Sequence, residues 1–198
     1  MILWTIQSKE AWETIQRTGL LRAEPGFVSR DFISAYEWMA KQMEIRIEPS
    51  KGCLPLWSWY QWESERKKKP DLRFGGHLPK GDHGVRIEFK IEDNKVVLSD
   101  FHLWHYVLNY WYLPATEDDD NTFEAELNEH GLSFYETKPL KHADFHKRIV
   151  DSWNRVFDLN WADPGESITF RREKKSIQAT FWKLRLEQVR KVQPFTAR

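Results

Sequence analysis

The sharpest pattern in the chain lies at residues 85–92. Val85, Ile87, Phe89 and Ile91 alternate with Arg86, Glu88, Lys90 and Glu92. Successive strand residues point to opposite faces, so this spacing predicts a strand with one buried and one wet side. Asp93-Asn94 predicts a tight turn, because both residues tolerate positive φ. "KVVLS" then predicts the returning hairpin strand. Earlier, Ile2 to Gln7 is apolar and β-prone and predicts the first strand. Ser8 can cap a helix that buries Ala11, Trp12 and Ile15, and Gly19 stands where a left-handed C-cap is wanted. "LLRA" predicts a short strand or turn.

Three–four spacing marks the helices. Phe32, Ala35, Tyr36, Met39, Met43 and Ile47 form one stripe, with Ser29 or Asp31 as cap and Pro49 beyond the end. In Ser99 to Pro114, Trp104, Val107, Leu108 and Trp111 share a face. Leu103, Tyr106 and Tyr110 flank it, His102, His105 and Asn109 fall on the other side, and Ser99 or Asp100 can cap. "ATEDDDN" predicts an acidic loop. Asn121 and Glu124 suggest a capping-box start to a short helix ending at Gly131. A helix from about Lys141 to Phe157 would bury Phe145, Ile149, Trp153 and Val156. Strands are expected at "SITFRR" and "SIQATFWKL", with "EQVRKVQPF" closing the sheet.

Leu54 to Trp62, "LPLWSWYQW", is expected to be extended. Strict alternation would place Trp57, Trp59 and Gln61 on one face and Leu56, Tyr60 and Trp62 on the other. Glu63 to Gly84 is a long polar segment, of the length that often forms a lid or binding loop. The element order predicts one α+β domain over residues 1–198, with a mixed or antiparallel sheet and helices packed on it through tryptophans.

Composition sharpens this picture. Eleven tryptophans argue for a folded core. Thirty basic and thirty acidic residues cancel, which argues against nucleic acid as a partner held mainly by phosphate charge. Cys53 is the only cysteine, so no internal disulfide or cysteine-based zinc cluster can form, and a reducing, cytoplasmic setting is expected. The opening residues lack a basic n-region and no apolar run is long enough to span a bilayer, so neither a signal peptide nor a membrane partner is expected.

Candidate chemistry is sparse. There is no Gly-x-Ser-x-Gly elbow, Walker A loop or Gly-x-Gly-x-x-Gly fingerprint. His142 and His146 are four apart on one helix, but zinc needs at least a third ligand, and no metal is expected. Asp100 and His105 are candidates for a ligand at a helix N-terminus. Arg73 has a fork suited to phosphate. Two basic runs, Arg66 to Lys69 and Arg171 to Lys175, could join Trp57, Trp59 and Trp62 in a stacking surface.

"LWTIQ…AWETIQRTGLL", "AYEWMAKQM", "PLWSWY", "VVLSDFHLWHYVLN" and "IQATFWKLRLEQV" resemble an uncharacterised bacterial family catalogued as a domain of unknown function, DUF3841. The strand–helix–Gly beginning and the closing strand also resemble ADP-ribosyltransferase-like domains. That resemblance implies an NAD-like nucleotide ligand, with Thr5 or Gln7 on the first strand and Gln178 on the late strand. Gln178 stands where those enzymes carry a glutamate, so it can bind a ribose hydroxyl but adds no charge. Two functions are therefore expected. One is an intracellular nucleotide-binding domain using Thr5, Gln7, Arg73 and Gln178. The other is a non-catalytic aromatic module for a protein, a peptide or single-stranded nucleic acid.

Overall fold

In the computed structural model the chain begins with β1, Ile2–Ser8, which carries straight into α1, Lys9–Thr18. The Ser8 side chain accepts from the Ala11 amide, and Gly19 closes the helix at φ 75° while its N–H bonds the Ile15 carbonyl. Both caps follow from residue type: a hydroxyl satisfies an orphan amide, and glycine accepts the left-handed turn. Then come β2 (Leu20–Arg22), α2 (Ile33–Arg46), β3 (Leu56–Gln61), β4 (His83–Lys90) and β5 (Val97–Asp100). Three helices follow, α3 (Phe101–Leu108), α4 (Glu117–Glu129) and α5 (Ala143–Ser152). The chain finishes with β6 (Ile177–Phe181), β7 (Lys183–Arg185) and β8 (Val189–Thr196). The structure describes residues 1–23, 26, 28–50, 52–133, 138–163 and 165–198.

The expected α+β class is what the structure has. Six strands form one sheet in the order β5-β6-β3-β1-β4-β8, and β2 and β7 pair in a second. β1 pairs antiparallel with both β3 and β4, β3 with β6, and β4 with β8. The expected hairpin between β4 and the "KVVLS" strand is not formed. Asp93–Lys95 make a 3-10 turn, and β1, β3 and β6 intervene between β4 and β5. Both edges of β4 are taken, by β1 and β8.

The chain divides into two compact units, Met1–Leu98 with Ser176–Arg198, and Ser99–Lys175. In the first, Leu3, Leu56, Val85, Ile87, Phe89, Ala179 and Phe181 point to the face that receives Ile15 of α1. This core is aliphatic and phenylalanine-rich rather than built on indoles. Only Trp38, Trp104, Trp153 and Trp182 of the eleven tryptophans are buried.

In the second unit α3, α4 and α5 supply Leu103, Trp104, Val107, Phe123, Leu127, Phe145 and Ile149 to the interior. Tyr112 stacks on Phe123 at 3.9 Å between ring centroids, and Trp153 Nε1 donates to the Trp111 carbonyl at 2.7 Å. Trp111, expected on the buried stripe, is exposed because α3 ends at Leu108 and Tyr110 takes a positive φ. The acidic "EDDD" is the first turn of α4 rather than a loop. Thr116 caps it, with its hydroxyl accepting from the Asp119 amide, and carboxylates suit the positive end of a helix. The expected "SITFRR" strand is absent: residues 166–171 are irregular, and a 3-10 turn, Arg172–Lys174, follows.

Candidate functional site

The strand register decides which predicted residues meet. Trp4 lies opposite Trp59, and Trp59 opposite Gln178. Facing residues in a sheet share a side, so Trp4, Trp59 and Gln178 line the face away from α1. Thr5 and Gln7 alternate to the other, core-facing side, opposite Ile87 and Val85. There Gln7 Nε2 donates to Thr5 Oγ1 at 2.8 Å, and Thr5 Oγ1 donates to the Trp57 carbonyl at 2.9 Å. The sheet thus stands between Thr5 or Gln7 and Gln178, and the cleft implied by the ADP-ribosyltransferase resemblance is not assembled. Gln178 is buried, and its Oε1 has no hydrogen-bond partner among the described residues.

Arg73 is exposed and spends its fork on Asp71, with Nε 3.0 Å from each carboxylate oxygen and a terminal nitrogen 2.5 Å from Oδ2. That guanidinium holds the Asp71 carboxyl well below the usual carboxylate range. The polar segment carrying Arg73 is tied down rather than loose. Arg86 donates to the Pro70 carbonyl, the His77 ring bonds the Asp71 carbonyl, and Gly81 and Asp82 exchange backbone bonds with Ala197.

Asp100 caps α3 through Oδ1, which accepts from the His102 and Leu103 amides at 2.9 and 3.3 Å. Its Oδ2 accepts from Lys175 Nζ at 2.7 Å and Thr169 Oγ1 at 2.8 Å. Asp100 is 1% exposed and Lys175 fully buried, so this carboxylate is committed inside the second unit. His105 is exposed and bonds the Phe101 carbonyl of its own helix. The neighbouring His102 has its pKa lowered by burial. His142 and His146 find no third metal-ligating group among the described residues.

The tryptophans behave differently from strict alternation. A register shift between Trp59 and Gln61 inserts one residue into β3. A bulge of this kind changes which side the following residues face. Gln61 therefore turns to the core side, 3% exposed, and Trp62 returns to the side of Trp59, with ring centroids 4.5 Å apart. Phe74 and His77 extend the cluster, at 5.4 and 5.1 Å from Trp62. Trp57 meets Tyr36 of α2 edge-on. Of the basic runs, Arg66 to Lys69 lies in the first unit and Arg171 to Lys175 in the second.

Sequence reasoning missed a concavity in the first unit. A cleft of about 990 Å³ opens between the end of α2, the ends of β4 and β6, and β7 with the start of β8. Ile47, Ile91, Phe181 and Trp182 give it an apolar floor, and Trp182 Nε1 donates to the Glu48 carbonyl at 2.8 Å. Lys90, Lys183, Arg185 and Arg190 stand around it. Lys183 and Arg185 flank buried Leu184 on β7, so they face the same way. The β4–β8 register passes from Glu88↔Lys191 to Phe89↔Val189, which leaves Arg190 as the unmatched residue. None of the four cations has an ion-pair partner among the described residues, whereas Glu92 is paired with Lys95 and Asp93 with the Met1 amine. Glu48 and Glu187 complete the charged rim.

A family model described as "Domain of unknown function (DUF3841)" matches residues 2–190. The chain belongs to this family. No curated protein and no solved structure matches it. The DUF3841 match covers both compact units, so the cleft and the aromatic face are parts of the matched domain. Among the described residues no helix is long and apolar enough to cross a membrane.

Proposed function

We propose that this DUF3841 domain binds a nucleotide of NAD-like chemistry in the cleft beside β7. The observation that carries the reading is four cations without ion-pair partners among the described residues, Lys90, Lys183, Arg185 and Arg190, around an apolar floor. Each part of a nucleotide has a counterpart. Phosphates suit lysine and the arginine fork. Ribose hydroxyls can donate to Glu48 or Glu187, as carboxylates accept from ribose in dinucleotide folds. A base is apolar on its faces and suits Ile47, Ile91 and Trp182. The volume, about 990 Å³, lies at the upper end of the roughly 300–1,000 Å³ typical of ligand sites. The site differs from the one implied by the ADP-ribosyltransferase resemblance, and the nucleotide class is retained.

The test is a thermal-shift series with NAD, ADP-ribose and ATP at about a hundredfold over Kd. Selective binding to the folded state then adds about 2.7 kcal/mol, or roughly 5–10 °C in Tm for a chain of this size. The double variant Lys183→Ala/Arg185→Ala should lose that shift while keeping the unliganded Tm, since both residues are exposed. No shift by any of the three at millimolar concentration overturns the nucleotide reading. A shift that survives the double variant moves the ligand out of this cleft.

A further inference from the structure

The face of the six-stranded sheet away from α1 has a second chemistry, separate from the cleft. Trp4 on β1 and Trp59 on β3 lie side by side across the strands. Trp62 adds to Trp59, and Phe74, 53% exposed, adds to Trp62. Rings therefore follow one another from the middle of the sheet to its margin. Cations accompany them. Lys69 and Lys191 border a small depression with Trp4, Arg86, Glu88 and Gln193. Of the acids nearby, Glu88 accepts from Trp4 Nε1 at 3.1 Å and Glu63 is paired with Lys67 at 2.7 Å.

We infer that this face binds single-stranded nucleic acid. Bases would stack on Phe74, Trp62 and Trp4, and Lys69 and Lys191 would meet the phosphates. Sheet faces carrying aromatic residues hold unpaired bases in this way because every base has a π-face. A duplex buries its bases in the stack and offers the rings nothing. The zero net charge of the whole chain excludes binding by phosphate attraction alone. It fits a surface where rings supply affinity and a few lysines set the register.

The experiment is fluorescence anisotropy with labelled deoxythymidine and uridine oligomers of about twelve nucleotides, near the site sizes of such surfaces. Titrations run at about 50 and 200 mM salt. Phe74→Ala, a change at an exposed ring, should weaken binding roughly five- to 150-fold with an unchanged melting temperature. The double variant Lys69→Ala/Lys191→Ala should reduce the slope of log K against log salt by about 1.4, at about 0.7 per phosphate contact. The cleft variant Lys183→Ala/Arg185→Ala should bind oligomers like the wild type. No binding at about 10 μM protein in low salt overturns the inference. So does an unaltered affinity for Phe74→Ala, an unchanged salt slope, competition by duplex as strong as by single strand, or loss of oligomer binding in the cleft variant. A failed nucleotide thermal shift leaves this inference standing, because it concerns other residues.

Discussion

Replacing Asp100 with asparagine should cost the second unit about 3–5 kcal/mol, the range for breaking a buried ion pair by removing one partner. The substitution separates two roles of one side chain. Asparagine caps helices about as well as aspartate, so the bonds from the His102 and Leu103 amides to Oδ1 survive. What disappears is the charge facing Lys175, whose ammonium is fully buried and 2.7 Å from Oδ2. Among the described residues, Thr169 Oγ1, which Lys175 also reaches at 2.6 Å, remains as a neutral acceptor and cannot replace a carboxylate. Asp100→Ala should add roughly 1 kcal/mol for the lost cap. Lys175→Met should cost less than Asp100→Asn, about 1–3 kcal/mol, because the remaining carboxylate keeps two amide donors, a hydroxyl and the positive end of α3. The double variant Asp100→Asn/Lys175→Met should then lie near Lys175→Met alone, giving a favourable coupling energy in the cycle.

The assay is urea unfolding followed by circular dichroism, with hydrogen exchange at the α3 amides to locate the loss. Domain stabilities of about 5–15 kcal/mol make a 3–5 kcal/mol change plain in the midpoint. An Asp100→Asn variant within about 1 kcal/mol of wild type would show that the carboxylate's charge is dispensable to the second unit. One no worse than Lys175→Met would contradict the expected order, since that order and the large loss both follow from treating the pair as a buried charge network.

Asp163 is buried, which by itself would raise its pKa. Bonds from the Thr169, Ser167 and Ile168 amides and the Ser167 hydroxyl outweigh burial and hold it below the ordinary carboxylate value. Its contribution is therefore complete above the unfolded pKa of about 3.9 and lost as pH falls through the lower folded value. Asp163→Asn should be less stable than wild type near neutrality, and the gap should close in acid, as read from urea midpoints against pH; a gap constant down to about pH 2 would contradict this. Gly19→Ala meets no steric neighbour but must adopt φ 75°, so it should cost about 1 kcal/mol in thermal unfolding; an unchanged Tm would show that the turn relaxes.

Local signals were legible wherever one element settles them. The Ser8 and Gly19 caps, the alternation of β4 and the Ala35, Met39 and Met43 stripe of α2 are properties of a few adjacent residues, and they fold as their spacing implies. What failed depended on distant partners. Nothing near β4 announces that β1 and β8 take both its edges, so a hairpin to β5 looked natural. One inserted residue in β3 reverses the side taken by Gln61 and Trp62, and no composition rule marks where a bulge falls. At the start of α4, "TEDDD" has a hydroxyl cap followed by carboxylates in the first turn, so that boundary could have been found by weighing the helix dipole above polarity.

The same distinction explains why the residues first singled out for a ligand are mostly not those left available for one. Asp100 was visible as a cap, but the lysine that absorbs its other oxygen lies 75 residues further on. Arg73 was visible as a phosphate fork, but Asp71 two residues earlier satisfies it. A charged group advertises binding only after its own fold has been subtracted. Around the cleft, Lys90, Lys183, Arg185 and Arg190 surround an apolar floor with no ion pair among the described residues. Two of them were readable in principle, because Lys183 and Arg185 flank a fully buried leucine on a three-residue strand. The other two depend on where β4 ends and where β8 slips by one residue. A cation at such a position gains nothing for folding that a neutral side chain would not, and that surplus charge is the strongest reason to look for an anion there.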